Sequence, residues 1–289
     1  MQIVNSLEEE SFAYTDEKEN MNSRRNEIGE FMEIVAYCQH ELVKEPLVYR
    51  EKLWEIMVEE DVTFAEWLYS GAGNGSEDDR RRMLESLSKK EIVSADSGQF
   101  VNELAGKQIY ISLGEFESCV SAVKDYISVR RDILSSIRDV KEYEAFMNSC
   151  FINSSFAANI LSEMKHIQNF PDKAKEITNA LAVLNDRAVD LYYQYSAHLE
   201  EAMKILSSLL QRECAPDPGH ADTLLFSFTY SEQTEGKTQA GIKEIECSPH
   251  LKLIHPGSDL RIYFYWCDKT VGAGEKVLVG RIGRHPYKK

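Results

Sequence analysis

No stretch of this chain approaches 18 consecutive apolar residues, so no transmembrane helix is expected. The first ten residues, from Met1 to Glu10, lack the basic start and apolar run of a signal peptide. The six cysteines, Cys38, Cys119, Cys150, Cys214, Cys247 and Cys267, form no C-x-x-C pair, so neither a zinc site nor a redox motif is expected. Without an export signal they read as thiols in a reducing cytosol, which makes the expected location cytoplasmic. Positive charge is also short, with 33 Lys and Arg against 48 Asp and Glu. What is present is enough apolar side chain for a packed core: 43% of residues are hydrophobic and 10% aromatic, which excludes wholesale disorder.

The net charge of −15 is unevenly placed. From Gly219 to Lys289 there are ten Lys or Arg and eight Asp or Glu, a net of +2, which leaves −17 for the first 218 residues. His220, His250, His255 and His285 also lie in that last quarter. An acidic body repels nucleic acid as a whole, so only the C-terminal part is suited to a phosphate backbone.

Residues 1–25 are polar and acidic, with consecutive glutamates at 8 to 10, and read as a disordered arm. From 26 to 212 the pattern is helical. Phe31, Ile34, Val35 and Cys38 share one helical face, and Leu47 to Val58 reads as a second helix after Pro46. Thr63-Phe64-Ala65-Glu66 is a capping box opening a helix through Trp67 and Leu68. The glycine cluster of Gly71 to Ser76 lacks the strand and the Gly-Lys-Ser/Thr ending of a P-loop, and reads as a plain loop. A helix with acids in its first turn follows. Its Arg80, Arg81 and Arg82 point in three directions and make no single basic patch. Ile109 to Ile111 suits a short strand. Ser112-Leu113-Gly114-Glu115 is a second capping box, opening a helix whose seam runs through Phe116, Val120, Val123, Ile127, Leu134 and Ile137 with Arg130 as its polar member. A further helical stretch covers about 141–168, softened at Asn153 to Ser155.

After Pro171, the residues Ile177, Leu181, Leu184, Ala188, Leu191, Tyr195, His198, Ala202, Ile205 and Leu209 alternate at 4-3 spacing. That is the seam of a coiled-coil-like helix or a tight helical hairpin, which Asn185-Asp186 could interrupt. His198 on the seam reads as an interhelical hydrogen-bonding residue. The 177–209 seam is also a candidate surface for a protein partner.

Residues 213–222 form a linker by composition. Beyond it, over 223–289, the period changes from 3.6 to 2. Leu224, Phe226, Phe228 and Tyr230 alternate with smaller residues, and one or two strands fall within Ile242 to Leu253. Turns at His255 to Ser258 and Gly272 to Gly274 bound the strand Arg261 to Trp266, and a last strand follows from Val277. Strands joined this closely are antiparallel. The expected fold class is α+β, a large helical body followed by a small antiparallel β-meander domain.

The strand Arg261 to Trp266 has two faces. Ile262, Phe264 and Trp266 suit a core against helices; Arg261, Tyr263 and Tyr265 point the other way. His250 and Lys252 share a face of the preceding strand, and the last strand ends in Arg281, Arg284 and His285. In a meander these groups can converge. Positive charge, phenols and imidazoles with few acids suit a phosphodiester. On this reading His285, His250 and Tyr265 are the proton-transfer candidates. Arg261, Arg284, Arg281 and Lys252 meet phosphates, and Tyr263 stacks on unpaired bases. The alternative is that the charges only protect a sheet edge and the tyrosines are half-buried.

The strand Arg261–Trp266, the glycine turn and the closing strand Lys276 to His285 resemble the last two strands of RelE/HigB-type toxins, which are small ribosome-dependent or free mRNA interferases. The chain also resembles bacterial proteins of unassigned function in which a helical body ends in strand-turn-strand and a closing Ile-Gly-x-His, here Ile282 to His285, some of them associated with phage-defence islands. The first resemblance implies that Arg261, Arg284 and His285 face phosphate, with His250 or Tyr265 moving a proton. Cleavage would activate a ribose 2′-OH against the adjacent phosphate and would need no metal or other cofactor. The chain departs from such toxins in its many helices and acidic body, and no first strand is legible directly ahead of the helices. Two readings result. One is a toxin-like or defence-associated protein with a C-terminal domain that binds RNA or the ribosome under control of a helical body. The other is a non-catalytic helical interaction or scaffold protein.

Overall fold

The computed structural model describes residues 3–15, 24–70, 77–87, 91–92, 108–113, 118–217, 223–234, 237–255 and 257–286. The glycine loop at 71–76, the seam residue Phe116, part of the 213–222 linker and Pro256 of the expected turn lie outside them. The chain is mixed α and β, in two compact units, Met1–Arg130 and Arg131–Lys289. None of the described helices is long and apolar enough to cross a membrane.

The first unit carries β1 (Asn5–Leu7), α1 (Arg25–Gln39), β2 (Leu47–Tyr49), β3 (Met57–Glu59), β4 (Val62–Thr63), α2 (Phe64–Tyr69), α3 (Glu77–Leu87), β5 (Glu91–Ile92), β6 (Ile111–Leu113) and β7 (Cys119–Val120). Its last helix, α4 (Val123–Ser136), leads into the second unit. Five strands make one mixed sheet in the order β5-β2-β1-β6-β7, with β2 parallel to β1 and β6 antiparallel to it. The parallel pair needs a crossover, which α1 supplies.

Over residues 3–15 the expected disordered arm is overturned, because β1 is the central strand of that sheet, while residues 16–23 of that expectation lie outside the described residues. Its glutamates have specific partners far along the chain. The Arg50 backbone N–H and Nε donate to Glu9 at 2.5 and 2.8 Å, and Ser112 Oγ donates to Glu8 at 2.6 Å. Glu10 pairs with Lys52. Ser112 is thus a strand residue bonded to a carboxylate, not the cap of a helix, and Val120 lies in β7. Leu47 to Val58 is likewise not a helix. Its apolar start, Leu47-Val48-Tyr49, suits a buried strand and is taken up by β1, and a 3-10 turn over Glu51–Glu55 follows. The Thr63–Glu66 capping box is present with both reciprocal hydrogen bonds.

Arg130, the polar member of the predicted seam, is fully buried and paired with Glu45. Tyr126 Oη donates within 2.9 Å of both Asn5 Oδ1 and Glu45 Oε2. The guanidinium also lies over the rings of Tyr37 and Tyr126. Burial, above all, pushes the Tyr126 phenol far above its ordinary range, so it stays a neutral donor.

The second unit runs α5 (Val140–Cys150), β8 (Ser154–Phe156), α6 (Ile160–Met164), α7 (Phe170–Gln194), α8 (Leu199–Leu210), β9 (Cys214–Ala215), β10 (Leu225–Thr234), β11 (Lys237–Glu246), β12 (His250–Lys252), β13 (Leu260–Tyr265) and β14 (Val277–Arg284). The softened point at Asn153 to Ser155 is therefore the start of a strand. Asn185 does not interrupt α7. It is buried, and its Oδ1 accepts 3.0 Å hydrogen bonds from the Asn153 N–H and Ser154 Oγ, which pins β8 to the helix. The seam instead breaks at Tyr195 to His198, where α8 folds back on α7. His198 is exposed, and among the described residues its side chain makes no interhelical hydrogen bond. Ile177, Leu181, Leu184, Ala188, Leu191 and Ala202 are all at most 2% exposed, so most of that seam serves the core, while Leu209 at its end is 48% exposed.

Five strands form one sheet in the order β8-β14-β13-β12-β9. The meander β12-β13-β14 is antiparallel as expected, and β8 joins parallel to β14. The hairpin β10-β11 is a separate two-stranded ribbon. The two-unit division thus places α5 to α8 with the C-terminal strands, rather than dividing helices from strands at 213–222.

Candidate nucleic-acid interface

The register of the meander sets which side chains are neighbours. His250 lies opposite Tyr263, Lys252 opposite Arg261, and Arg281 opposite Tyr263 from the other side. His250, Lys252, Arg261, Tyr263 and Arg281 therefore share one sheet face, whereas Arg284, opposite Leu260, lies on the reverse face. Ile262 lies between Leu251 and Ile282 on the reverse face, all three fully buried. Trp266, on the same side by sequence parity, stacks on Tyr192 of α7 with centroids 6.5 Å apart.

That first face is not open along its whole length. Phe226, Phe228 and Ile245 of the β10-β11 hairpin pack with Tyr263, Leu278 and Cys247, and Tyr265 borders the same cluster. The hairpin can approach because residue 280 has no side chain. A Cβ on Gly280 would lie 2.4 Å from Phe226 Cδ2 and 2.9 Å from Cys247 Sγ. The ladder also shifts register here, with Tyr263 opposite Arg281 and Phe264 opposite Val279, so Gly280 is the extra residue of a bulge. Tyr263 is fully buried, and its expected stacking on a base is overturned: apolar hairpin side chains already occupy its surroundings.

His250 is 5% exposed, with its ring 5.0 Å from that of Tyr263. Burial first, and then the Arg261 charge, press its pKa down to about 4 despite the nearby Asp217 carboxylate. It is neutral at pH 7 and a weak base there. Among the described residues its Nδ1 has no hydrogen-bond partner. Tyr265 is half-buried, and burial with the neighbouring Tyr192 raises its pKa. Neither group is tuned for proton transfer near neutrality. His285 is the remaining candidate. Its Nε2 lies 3.6 Å from Asp217 Oδ2, and its ring meets Tyr263 edge-on at 6.4 Å.

The cations gather at the far end of the face. Arg261 is 8% exposed and donates to the carbonyls of Ser258 and Leu260. Lys252 Nζ is 2.5 Å from Glu213, Arg281 is 2.8 Å from Glu163 of α6, and Arg284 is 4.0 Å from Asp259. The structure brings six of the eight sequence-predicted residues together at this end of the face; Tyr265 packs against the hairpin cluster instead, and Arg284, opposite Leu260, lies on the reverse face. What sequence reasoning missed is the set of carboxylates, Glu163, Glu213, Asp217 and Asp259. They lie outside the meander strands, and nothing in their local pattern marks them as partners of that face. Comparison with protein-family models, with curated proteins and with solved structures finds no match to this chain.

Proposed function

We propose that residues 131–289 form a RelE-like module that binds RNA through its phosphate backbone at the Lys252, Arg261, Arg284 and His285 end of the meander. The observation that carries this reading is the strand order. Toxins of that type begin with a strand before two helices, and the resemblance itself lies in the last two strands. β8 supplies a strand ahead of α6, α7 and α8, and it lies beside β14 in the same sheet. His285 is the proton-transfer candidate, and its Nε2 lies 3.6 Å from Asp217 Oδ2. Where cleavage occurs, His285 would exchange a proton with the 2′-OH or the leaving oxygen while Arg261 and Arg284 face the charge on phosphorus.

The test is binding of a short labelled single-stranded RNA at low salt, together with growth and RNA integrity on induced expression. Arg261→Ala and Arg284→Ala should each weaken binding similarly across sequences and make the salt dependence shallower. His285→Ala should leave affinity nearly unchanged and lower any cleavage rate by about 10²–10⁴-fold. No affinity at low salt and no growth effect would sink the reading.

A second reading, a non-catalytic interaction protein, is favoured by one specific observation. Tyr263 and His250 are buried, and the flanking Lys252 and Arg281 are already ion-paired. It predicts normal growth and intact RNA on expression.

A further inference from the structure

We infer that the module masks its own phosphate-binding end with four carboxylates. This inference rests on the RNA-binding reading above. Glu163 comes from α6, Glu213 and Asp217 flank β9, and Asp259 immediately precedes β13. Each meets a different basic group at this end of the meander: Arg281, Lys252, His285 and, from the reverse face, Arg284, at 2.8, 2.5, 3.6 and 4.0 Å. Arg261 is the remaining cation, and it is held by backbone carbonyls rather than by an acid. Leaving His285 out of the count, the four acids match the four charges of Arg261, Arg281, Arg284 and Lys252.

That balance matters for a polyanion. Attraction of RNA depends on local positive potential and on counterions released from phosphates. An end so matched offers neither until its carboxylates move aside. The pairs are placed so that they can. Their side chains are between 15% and 54% exposed, and pairs of this kind stabilise a fold only weakly. A phosphate can replace a carboxylate at an arginine with similar hydrogen-bond geometry. The four carboxylates therefore act as internal stand-ins for phosphate. RNA must displace them, and whatever draws them away raises the affinity.

The experiment compares the parent with Glu163→Gln/Glu213→Gln/Asp217→Asn/Asp259→Asn in full-length protein, by fluorescence anisotropy with a short single-stranded RNA of mixed sequence. Each amide keeps the shape and removes one charge. Affinity should rise about ten- to a hundred-fold at low salt, from about three-fold per pair, and the gain should shrink as salt screens it. A second protein, Asp172→Asn/Asp190→Asn/Glu200→Gln/Glu275→Gln, makes the same change in net charge at exposed acids outside these pairs. It should gain far less. Glu213→Gln/Asp259→Asn alters only the two more exposed acids and keeps the test open should the quadruple variant melt early. If the parent binds RNA and the masked-end variants bind no tighter, or no tighter than the control, the mask is refuted and the RNA reading stands. If no protein in the set binds, the RNA reading falls and the mask with it.

Discussion

Gly280→Ala tests how the β10-β11 hairpin is seated over the sheet. The glycine is not needed for an unusual backbone angle, since the positive-φ glycines among the described residues are Gly272 and Gly274. It is needed for room. The new methyl carbon would lie 2.4 and 2.8 Å from Phe226 Cδ2 and Cγ and 2.9 Å from Cys247 Sγ. Both neighbours are buried, Phe226 at 5% exposure and Cys247 at 0%. A contact near 4 Å is the optimum for two carbons, so one element must shift by more than an ångström. Overpacking of this kind costs about 1–3 kcal/mol, to be read as a lower urea midpoint at unchanged slope. Phe226→Ala alone should cost about 3–5 kcal/mol. The double variant should cost less than the two added together, by about 0.5–3 kcal/mol, because the missing ring makes room for the methyl. The Cys247 thiol gives an independent readout. Burial raises its pKa and keeps it inert in the parent, and a hairpin pushed off the sheet should let it react faster with a disulfide reagent. Strict additivity of the two substitutions, with unchanged thiol reactivity, would refute this account of the hairpin.

Three further outcomes follow from the same packing. Arg130→Met should destabilise the first unit by about 3–5 kcal/mol in urea denaturation, because Glu45 is left charged and buried without its cation. Leu191→Ala, on the buried face of α7, should cost about 2–5 kcal/mol by thermal or urea melting, and parent-like stability would mean that the seam is surface. His250 gives a pH signature. Its folded pKa of about 4 lies below the ordinary 6.5, so below pH 6.5 the unfolded chain takes up a proton that the folded chain refuses. Stability should fall by up to about 3 kcal/mol between pH 6.5 and 4 and lose nothing more from this group below that. His250→Phe should flatten that slope in urea titrations at several pH values.

The sequence was most legible where neighbours in the chain are neighbours in space. The Thr63–Glu66 capping box, the β12-β13-β14 meander and the two faces of β13 are set by spacing alone, and they stand as read. Local reading failed where a distant partner decides. Glu8, Glu9 and Glu10 have the composition of a tail. They are fixed by Ser112, Arg50 and Lys52, about a hundred residues away in the first case and about forty in the others. Leu47 to Tyr49 has helix-compatible neighbours, but β1 offers it a parallel ladder. Asn185 reads as a helix breaker on its own, because its two donors, Asn153 and Ser154, lie immediately before β8 and at its start.

The candidate interface divides along the same line. Alternation along β13 places Arg261, Tyr263 and Tyr265 on one face, and antiparallel pairing brings His250, Lys252 and Arg281 to them. Alternation has no information about what covers a face. The bulge at Gly280 and the absent side chain there let an aromatic hairpin settle on Tyr263, which converts the tyrosine from a prospective base-stacking surface into core. The carboxylates are a second layer of the same problem. Glu163 is more than a hundred positions from Arg281, and Asp217 is nearly seventy from His285. A charge count over 219–289 gives a basic domain because Glu163, Glu213 and Asp217 fall before its boundary. Once they are placed beside the cations they face, four acids stand against four arginine and lysine charges at the same end of the sheet. Any affinity for RNA must then be sought in how readily those four contacts open, not in the net charge of the segment.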